Sequence, residues 1–186
     1  MGAVRDGRQE GREVRIEIVA LLVSPVHRCA GRPRDGLTAL PTGAQPERRR
    51  EVRVQAGRGI VGDRYAGRTA HRAAAVTLVD AGELEAVADE LGVPRFDPAL
   101  ARRNVVLRGV DVMSLRGREV GIDCGDGPVR LLGRRAANPC AWMDVLLAPG
   151  AHLALRGRGG LRCEPVGSGV LRVGPARLVV AAAPSP

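Results

Sequence analysis

The chain contains no lysine. All 29 of its basic residues are arginine, set against 20 acidic ones, for a formal net charge of +9. Aromatic residues are almost missing as well, with one Trp, one Tyr and one Phe in 186 residues. A basic chain attracts polyanions, but single-stranded nucleic acid is held on stacking platforms that three rings cannot supply. The arginines are also spread along the sequence instead of massed in one block. An arginine-rich nucleic-acid-binding module is therefore a distant alternative. A smaller anion, such as a phosphate or a phosphorylated cofactor, suits planar guanidinium forks equally well.

Other absences narrow the field further. The four cysteines (Cys29, Cys124, Cys140, Cys163) form no CxxC pair and the histidines (His27, His71, His152) are scattered, which disfavours a structural zinc site. No long apolar run exists either. The first candidate, Val14 to Val23, is broken by Arg15 and Glu17, unlike a membrane span or a secretory leader. The expectation is a cytoplasmic protein without a membrane partner, and in that reducing compartment the thiols stay free. No internal repeat is visible.

At 186 residues, with 45% hydrophobic and 26% charged, the chain suits one globular domain. Val14 to Val23 reads as a strand rich in β-branched residues. Residues 24–50 form a long polar loop with Pro25, Pro33, Pro41 and Pro46, and loops of that size are commonly functional. Further strands are expected at Glu51 to Ala56, Ala74 to Val79, Val105 to Leu107, Glu119 to Asp123 and Val129 to Leu132. The strand-rich end adds Leu161 to Val166, Gly169 to Val173 and Arg177 to Ala181. The clearest helix starts at Asp80 as N-cap, with Glu83 closing a capping box and Leu84, Val87, Ala88 and Leu91 on one face. Gly92 and Pro94 stop it. Short helices are expected from Pro98 to Arg102, Asp111 to Leu115, Ala141 to Leu147 and Ala151 to Leu155. Many short strands without regular βαβ alternation predict a β-dominated α+β fold with a β-barrel core and a few short helices. The domain is expected over 14–181, between a disordered tail at 1–13 and a short tail at 182–186.

Gly57, Gly59 and Gly62 spell GxGxxG directly after a strand, the outline of a dinucleotide-binding turn. That mechanism needs a crossover helix whose N-terminus faces the pyrophosphate. The following residues, 63–72, have no apolar stripe and carry Gly67 in their middle, so a glycine-rich turn with positive φ is expected instead.

Four segments, in order, carry a resemblance to a known family. They are Gly59-Ile60-Val61-Gly62-Asp63-Arg64-Tyr65; Arg102-Arg103-Asn104-Val105 continuing through Asp111 and Leu115 to Gly117; Leu132 to Cys140; and Gly160-Leu161 with Gly169 to Gly174. Together they span about residues 14–181, and the chain resembles the MOSC family, the domain at the C-terminus of molybdenum-cofactor sulfurases and of free-standing bacterial proteins. The resemblance implies a strand-rich barrel and a role in sulfur or molybdenum-cofactor chemistry. It places the family's cysteine at Cys140, which would either take sulfur as a persulfide from a pyridoxal-phosphate-dependent cysteine desulfurase or ligate molybdenum. In amidoxime-reducing relatives, the Arg and Asn matching Arg102 and Asn104 hold the pterin phosphate region. Two departures stand out. The family's closing Asp is Pro175 here, and no second cysteine lies shortly before Cys140, which puts a two-thiol exchange at that loop in doubt.

Both roles of Cys140, catalytic nucleophile and metal ligand, need a thiolate, and Arg134 and Arg135 lie close enough in sequence to favour it. Composition alone favours an inert buried thiol, and the family resemblance turns the balance toward function. Cys29, Cys124 and Cys163 read as structural, with Cys29 set apart by its place in the loop. Arg102 and Asn104 either bind a phosphate and a pterin edge or cap the preceding helix and satisfy a turn. Arg103, alternating with them, is expected to point the other way. Asn138, Arg64, Gly59 and Gly62 complete the candidate cofactor-binding set, the glycines by letting backbone amides approach an anion. Asp63 and Arg64 are an alternative ion pair, His27 and Arg28 are candidates to close over the site, and Trp142-Met143 is expected to pack in the core. The chain has no room for a pyridoxal-phosphate domain of its own, so a desulfurase or molybdoenzyme partner would be a separate protein. An amidoxime-type oxidoreductase would need an outside electron donor, since no iron–sulfur or flavin motif is visible.

Overall fold

In β1 (Arg12–Leu22) the charged residues Arg15 and Glu17 face solvent while Ile16 and Ile18 are buried, as the two-residue period of a strand requires. A bulge between Ile18 and Ala20 then changes the phase. Beyond it Leu21 and Val23 point into the same core as Ile18, and Ala20 faces a second apolar cluster on the other side. These coordinates are a computed structural model, and it describes residues 12–181. The expected tails fall largely outside that range, except that Arg12 and Glu13 already belong to β1.

The bulged strand closes a barrel because both of its edges are paired. Its first half lies antiparallel to β11 (Gly174–Val180), from Arg12 opposite Val180 to Ile18 opposite Gly174. Its second half lies antiparallel to β6 (Val105–Arg108). Between them run β7 (Glu119–Asp123), β8 (Pro128–Ala136), β9 (Leu161–Pro165) and β5 (Val76–Asp80). The order β1-β11-β7-β8-β9-β5-β6-β1 is a closed seven-stranded barrel. Closure leaves these strands no open edges except a short extension at β2 (Arg48–Arg49), which pairs with Leu21 and Leu22. A small second sheet orders β10 (Gly169–Arg172), β3 (Glu51–Gln55) and β4 (Gly59–Ile60).

β5 and β6 are parallel, so the chain must cross over between them. The crossover carries α1 (Ala81–Glu90), started by the Asp80 carboxylate, which accepts from the Gly82 N–H at 2.8 Å. Glu83 does not close the expected capping box and instead faces Arg158 at 3.4 Å. Leu84 and Val87 of α1 join Trp142, Met143, Ala151 and Leu155 in the cluster outside the barrel wall, on α2 (Trp142–Leu146), α3 (Ala151–Ala154) and the residue after it.

Where the sequence gives short helices at 98–102 and 111–115, the structure has single 3-10 turns, Pro98–Ala101 and Val112–Leu115. β8 is longer than expected, since alternation continues past Leu132 across a bulge at Gly133. After the GxGxxG glycines come turns and a 3-10 segment, Thr69–Ala74, with no crossover helix. Among the described residues no helix is long and apolar enough to cross a membrane.

Candidate functional site: a thiol on an arginine-lined cleft

Cys140 is exposed, in the connection between β8 and α2. Its chain is pinned at both ends. On one side the Cys140 carbonyl accepts from the Met143 N–H at 2.8 Å, and the adjoining Trp142 and Met143 are buried in the outer cluster. On the other, the Ala137 N–H donates to the Gly160 carbonyl at 2.8 Å. Gly159 permits this approach, because a Cβ there would sit 2.8 Å from the Ala137 carbonyl oxygen and 2.9 Å from Pro139. The thiol is thus exposed at its tip and fixed at its backbone.

It opens on a cleft of about 150 Å³ whose walls include Arg28, Arg64, Arg102, Arg103 and Arg162, together with His27 and Cys29, and no carboxylate. Arg102 adopts a left-handed conformation (φ 58°) as the C-cap of the 98–101 turn, the sole non-glycine positive φ among the described residues. This turns the chain sharply before β6 begins, so Arg102 and Arg103 both reach the cleft. Arg102 grips Glu47 through two nitrogens, at 2.5 and 3.1 Å, a fork-to-fork pair, and Arg28 shares the same carboxylate at 3.5 Å. Burial works to raise the Glu47 pKa, but hydrogen bonds from Arg102 and Ser24 and the two arginine charges outweigh it and hold the carboxyl below its ordinary value.

Arg103 spends three N–H groups on the carbonyls of Gly159 (2.8 Å), Ala137 (3.0 Å) and Ala101 (3.2 Å), tying the Cys140 loop to the barrel rim. Burial and the neighbouring Arg162 lower its pKa to about 10, which leaves it charged at neutral pH. Arg64, Arg103 and Arg162 have no carboxylate partner among the described residues, and Arg64 lies 4.4 Å above the Tyr65 ring. The Nε atoms of Arg28 and Arg64 are buried without a hydrogen-bond acceptor. A buried donor left unpaired costs about 1–3 kcal/mol, more when charged, so the cleft is poised for an anion. Burial, Arg64 and Arg102 likewise lower the His27 pKa below its ordinary value.

Behind the arginines lies a fully used polar floor. The Asn104 carboxamide oxygen accepts from the Thr77 N–H (3.0 Å) and hydroxyl (2.8 Å), and its NH2 donates to the Leu22 carbonyl and to Asp63, both at 3.1 Å. Asp63 also accepts from the N–H groups of Ser24 and Tyr65. This network fastens β1, β5 and the start of β6 to the glycine-rich turn.

Closed barrel, crossover helix and cleft-bearing rim can be set against known proteins. No family model matches the chain, and no curated protein matches it significantly in sequence. Solved structures do. The YuaD protein of Bacillus subtilis superposes with a TM-score of 0.70 at 18% identity, over 93% of this chain and 100% of that one. YiiM of Geobacillus stearothermophilus gives 0.57 at 15% identity, over 90% and 75%. YiiM of Escherichia coli gives 0.57 at 13%, over 94% and 72%. The fold is MOSC-like. At these identities the likeness concerns architecture alone.

Within that MOSC-like frame the candidate residues separate. Cys140, Arg64, Arg102, Asn104 and Asn138 all border one cleft. Asn104 does so with its amide already saturated, and Arg102 is both helix cap and cleft wall. Gly59 and Gly62 are elsewhere: Gly59 is buried in β4, its missing side chain making room for Ala75, and Gly62 faces a separate concavity. Their positive φ values (109° and 84°) explain the glycines without an anion. Arg134 pairs with Glu164, away from Cys140. Asp63 takes neutral donors instead of Arg64. Pro175 lies opposite Glu17 in the barrel wall, distant in the topology from the Cys140 loop.

Three cleft residues escape a reading of the sequence. Arg103 was expected to point away, but strand alternation does not apply because β6 starts only at Val105. Arg162 arrives from β9, and Cys29 from the 24–50 loop, alongside His27 and Arg28. A second thiol therefore does reach the site, from a hundred residues upstream instead of from the Cys140 loop. Burial raises the Cys29 pKa, opposed by Arg102, and a charge on Cys140 would raise it further.

Proposed function

We propose that this protein handles sulfur through Cys140, as a carrier that accepts sulfane sulfur as a persulfide and passes it on. The observation that carries the proposal is an exposed thiol fixed at the mouth of a cleft whose guanidinium groups outnumber its carboxylates. Loading from a cysteine desulfurase would form a bond between Cys140 Sγ and the donor's outer sulfur. The donor's S–S bond breaks and its cysteine leaves as the thiolate, with no net oxidation. Arginines beside the new persulfide favour its anionic form, because charge-assisted hydrogen bonds are about twice as strong as neutral ones. The pyridoxal phosphate belongs to the donor, and the partner is a desulfurase or a molybdoenzyme.

A second reading, binding of a molybdenum–pterin cofactor, is favoured by the same donor set. Cys140 offers a soft sulfur ligand, and Arg28 and Arg64 offer unpaired buried donors suited to a phosphate. Among the described residues no cluster of three His, Cys, Asp or Glu side chains is present, so the protein would supply at most two such ligands, Cys140 among them. The enclosed volume, about 150 Å³, is below the ~300 Å³ at which sites enclose a whole drug-sized ligand, and suits the phosphate end. Bound there, the cofactor would supply two-electron redox chemistry of the amidoxime-reducing kind, while Arg103 keeps the Cys140 loop in place.

One purification separates the two. The protein and Cys140→Ala are isolated from a host that makes the cofactor, and molybdenum, pterin and protein-bound sulfane sulfur are measured. Persulfide on Cys140 after incubation with a desulfurase and cysteine, without molybdenum, supports carriage. Molybdenum and pterin lost in Cys140→Ala support the cofactor reading.

A further inference from the structure

The cleft's recognition chemistry is narrow. Arg64, Arg103 and Arg162 have no carboxylate partner among the described residues, the Nε atoms of Arg28 and Arg64 are buried and unpaired, and no carboxylate lines the wall. Asn104, the neutral polar group on the floor, is saturated internally. Guanidinium groups dominate the charge of such a site. Its volume of about 150 Å³ admits a tetrahedral oxyanion. Guanidinium forks suit the oxygens of such an anion, and the same wall carries an exposed thiol.

A small oxyanion that also gives a thiol something to attack is one bearing a transferable sulfur. We propose that the cleft binds thiosulfate and that Cys140 takes its outer sulfur directly, which rests on Cys140 being the sulfur-carrying thiol. The arginines hold the sulfonate oxygens. The Cys140 thiolate attacks the outer sulfur, a new S–S bond forms to Sγ, the S–S bond within thiosulfate breaks, and its electron pair leaves with sulfite. One sulfur moves, the charge is conserved, and no outside oxidant or reductant is needed. The arginines that anchor the substrate also stabilise the departing sulfite dianion, so they act on both sides of the step.

The test incubates the reduced protein with thiosulfate alone, and measures sulfite in solution and the mass of the Cys140 peptide. Expected are one sulfur added at Cys140, one equivalent of sulfite, inhibition by added sulfate, and a fall of about ten-fold or more in loading rate at low thiosulfate for Arg64→Ala and for Arg28→Ala. Sulfate competition needs no variant, so it decides the matter even if a substitution disturbs folding. No sulfite and no added sulfur, from a protein that a desulfurase does load, would overturn the thiosulfate site and leave the carrier reading intact. Loading that sulfate does not inhibit would also overturn the site, since the thiol would then react without the cleft. Loading from neither donor would remove the carrier reading itself.

Discussion

Asn104 lines the cleft, yet its four hydrogen bonds all run inward, and Asn104→Ala measures which role it plays. The substitution strands the half-buried Thr77 N–H of β5 and removes one donor each from the Leu22 carbonyl and the Asp63 carboxylate. Each buried group left unsatisfied costs about 1–3 kcal/mol. Asp63 keeps its bonds from Ser24 and Tyr65, so the sum is about 3–4 kcal/mol, with Thr77 and Leu22 contributing most. At a urea dependence of about 2 kcal/mol per molar, the unfolding midpoint should fall by about 1.5–2 M. The assay is urea titration followed by far-UV circular dichroism, with the slope unchanged. Arg64→Ala is the companion, and because it removes a half-buried guanidinium whose Nε is buried without an acceptor, its midpoint should hold or rise. A midpoint for Asn104→Ala within about 0.3 M of the parent would refute the structural role and return Asn104 to the ligand-binding set.

Thiol alkylation at mildly alkaline pH should modify Cys140 first, since it is exposed, and Cys163 last, since burial pushes its pKa to about 12; early Cys163 labelling would contradict the barrel interior. For His27, burial, Arg64 and Arg102 hold the pKa below 6.5. The unfolded state then binds more protons in the window between the folded value and 6.5, so this residue's contribution makes stability rise with pH through that window and level off above it. Proton NMR of His27 should show a titration midpoint below 6.5 that moves up when sulfate is added, and a midpoint unmoved by sulfate would argue against an anion beside it. Trp142→Ala should cost about 3–5 kcal/mol as a large buried side chain is lost and should slow Cys140 loading by freeing its loop. Full stability in that variant, read by thermal melting, would contradict the anchoring role.

The barrel was legible because its strands are mostly short, β-branched and alternating, from Ile16 and Ile18 to Glu119–Asp123. Which strand closes it was not, since that depends on a bulge after Ile18 in the strand that pairs on both edges, and no local signal marks it. The 98–101 and 112–115 turns carry helical caps at Asp97 and Asp111 but stop after one turn. At the site, Cys140 and the arginine at 102 stood out through the ordered segments around them. Cys29 and Arg162 could not, because strand pairing and loop packing bring them to the cleft over long sequence separations. The 24–50 loop offered one usable signal, a His-Arg-Cys run inside a polar stretch. Arg103 was misplaced by applying strand alternation before β6 begins at Val105, where a left-handed Arg102 breaks the period.

The most direct test of the central claim is peptide mass spectrometry of all four cysteines after incubation with a cysteine desulfurase and cysteine, beside Cys140→Ala. The account predicts sulfane sulfur on Cys140 in the parent and none retained by the variant. Sulfur on none of the four thiols, or equal labelling in Cys140→Ala, would contradict it.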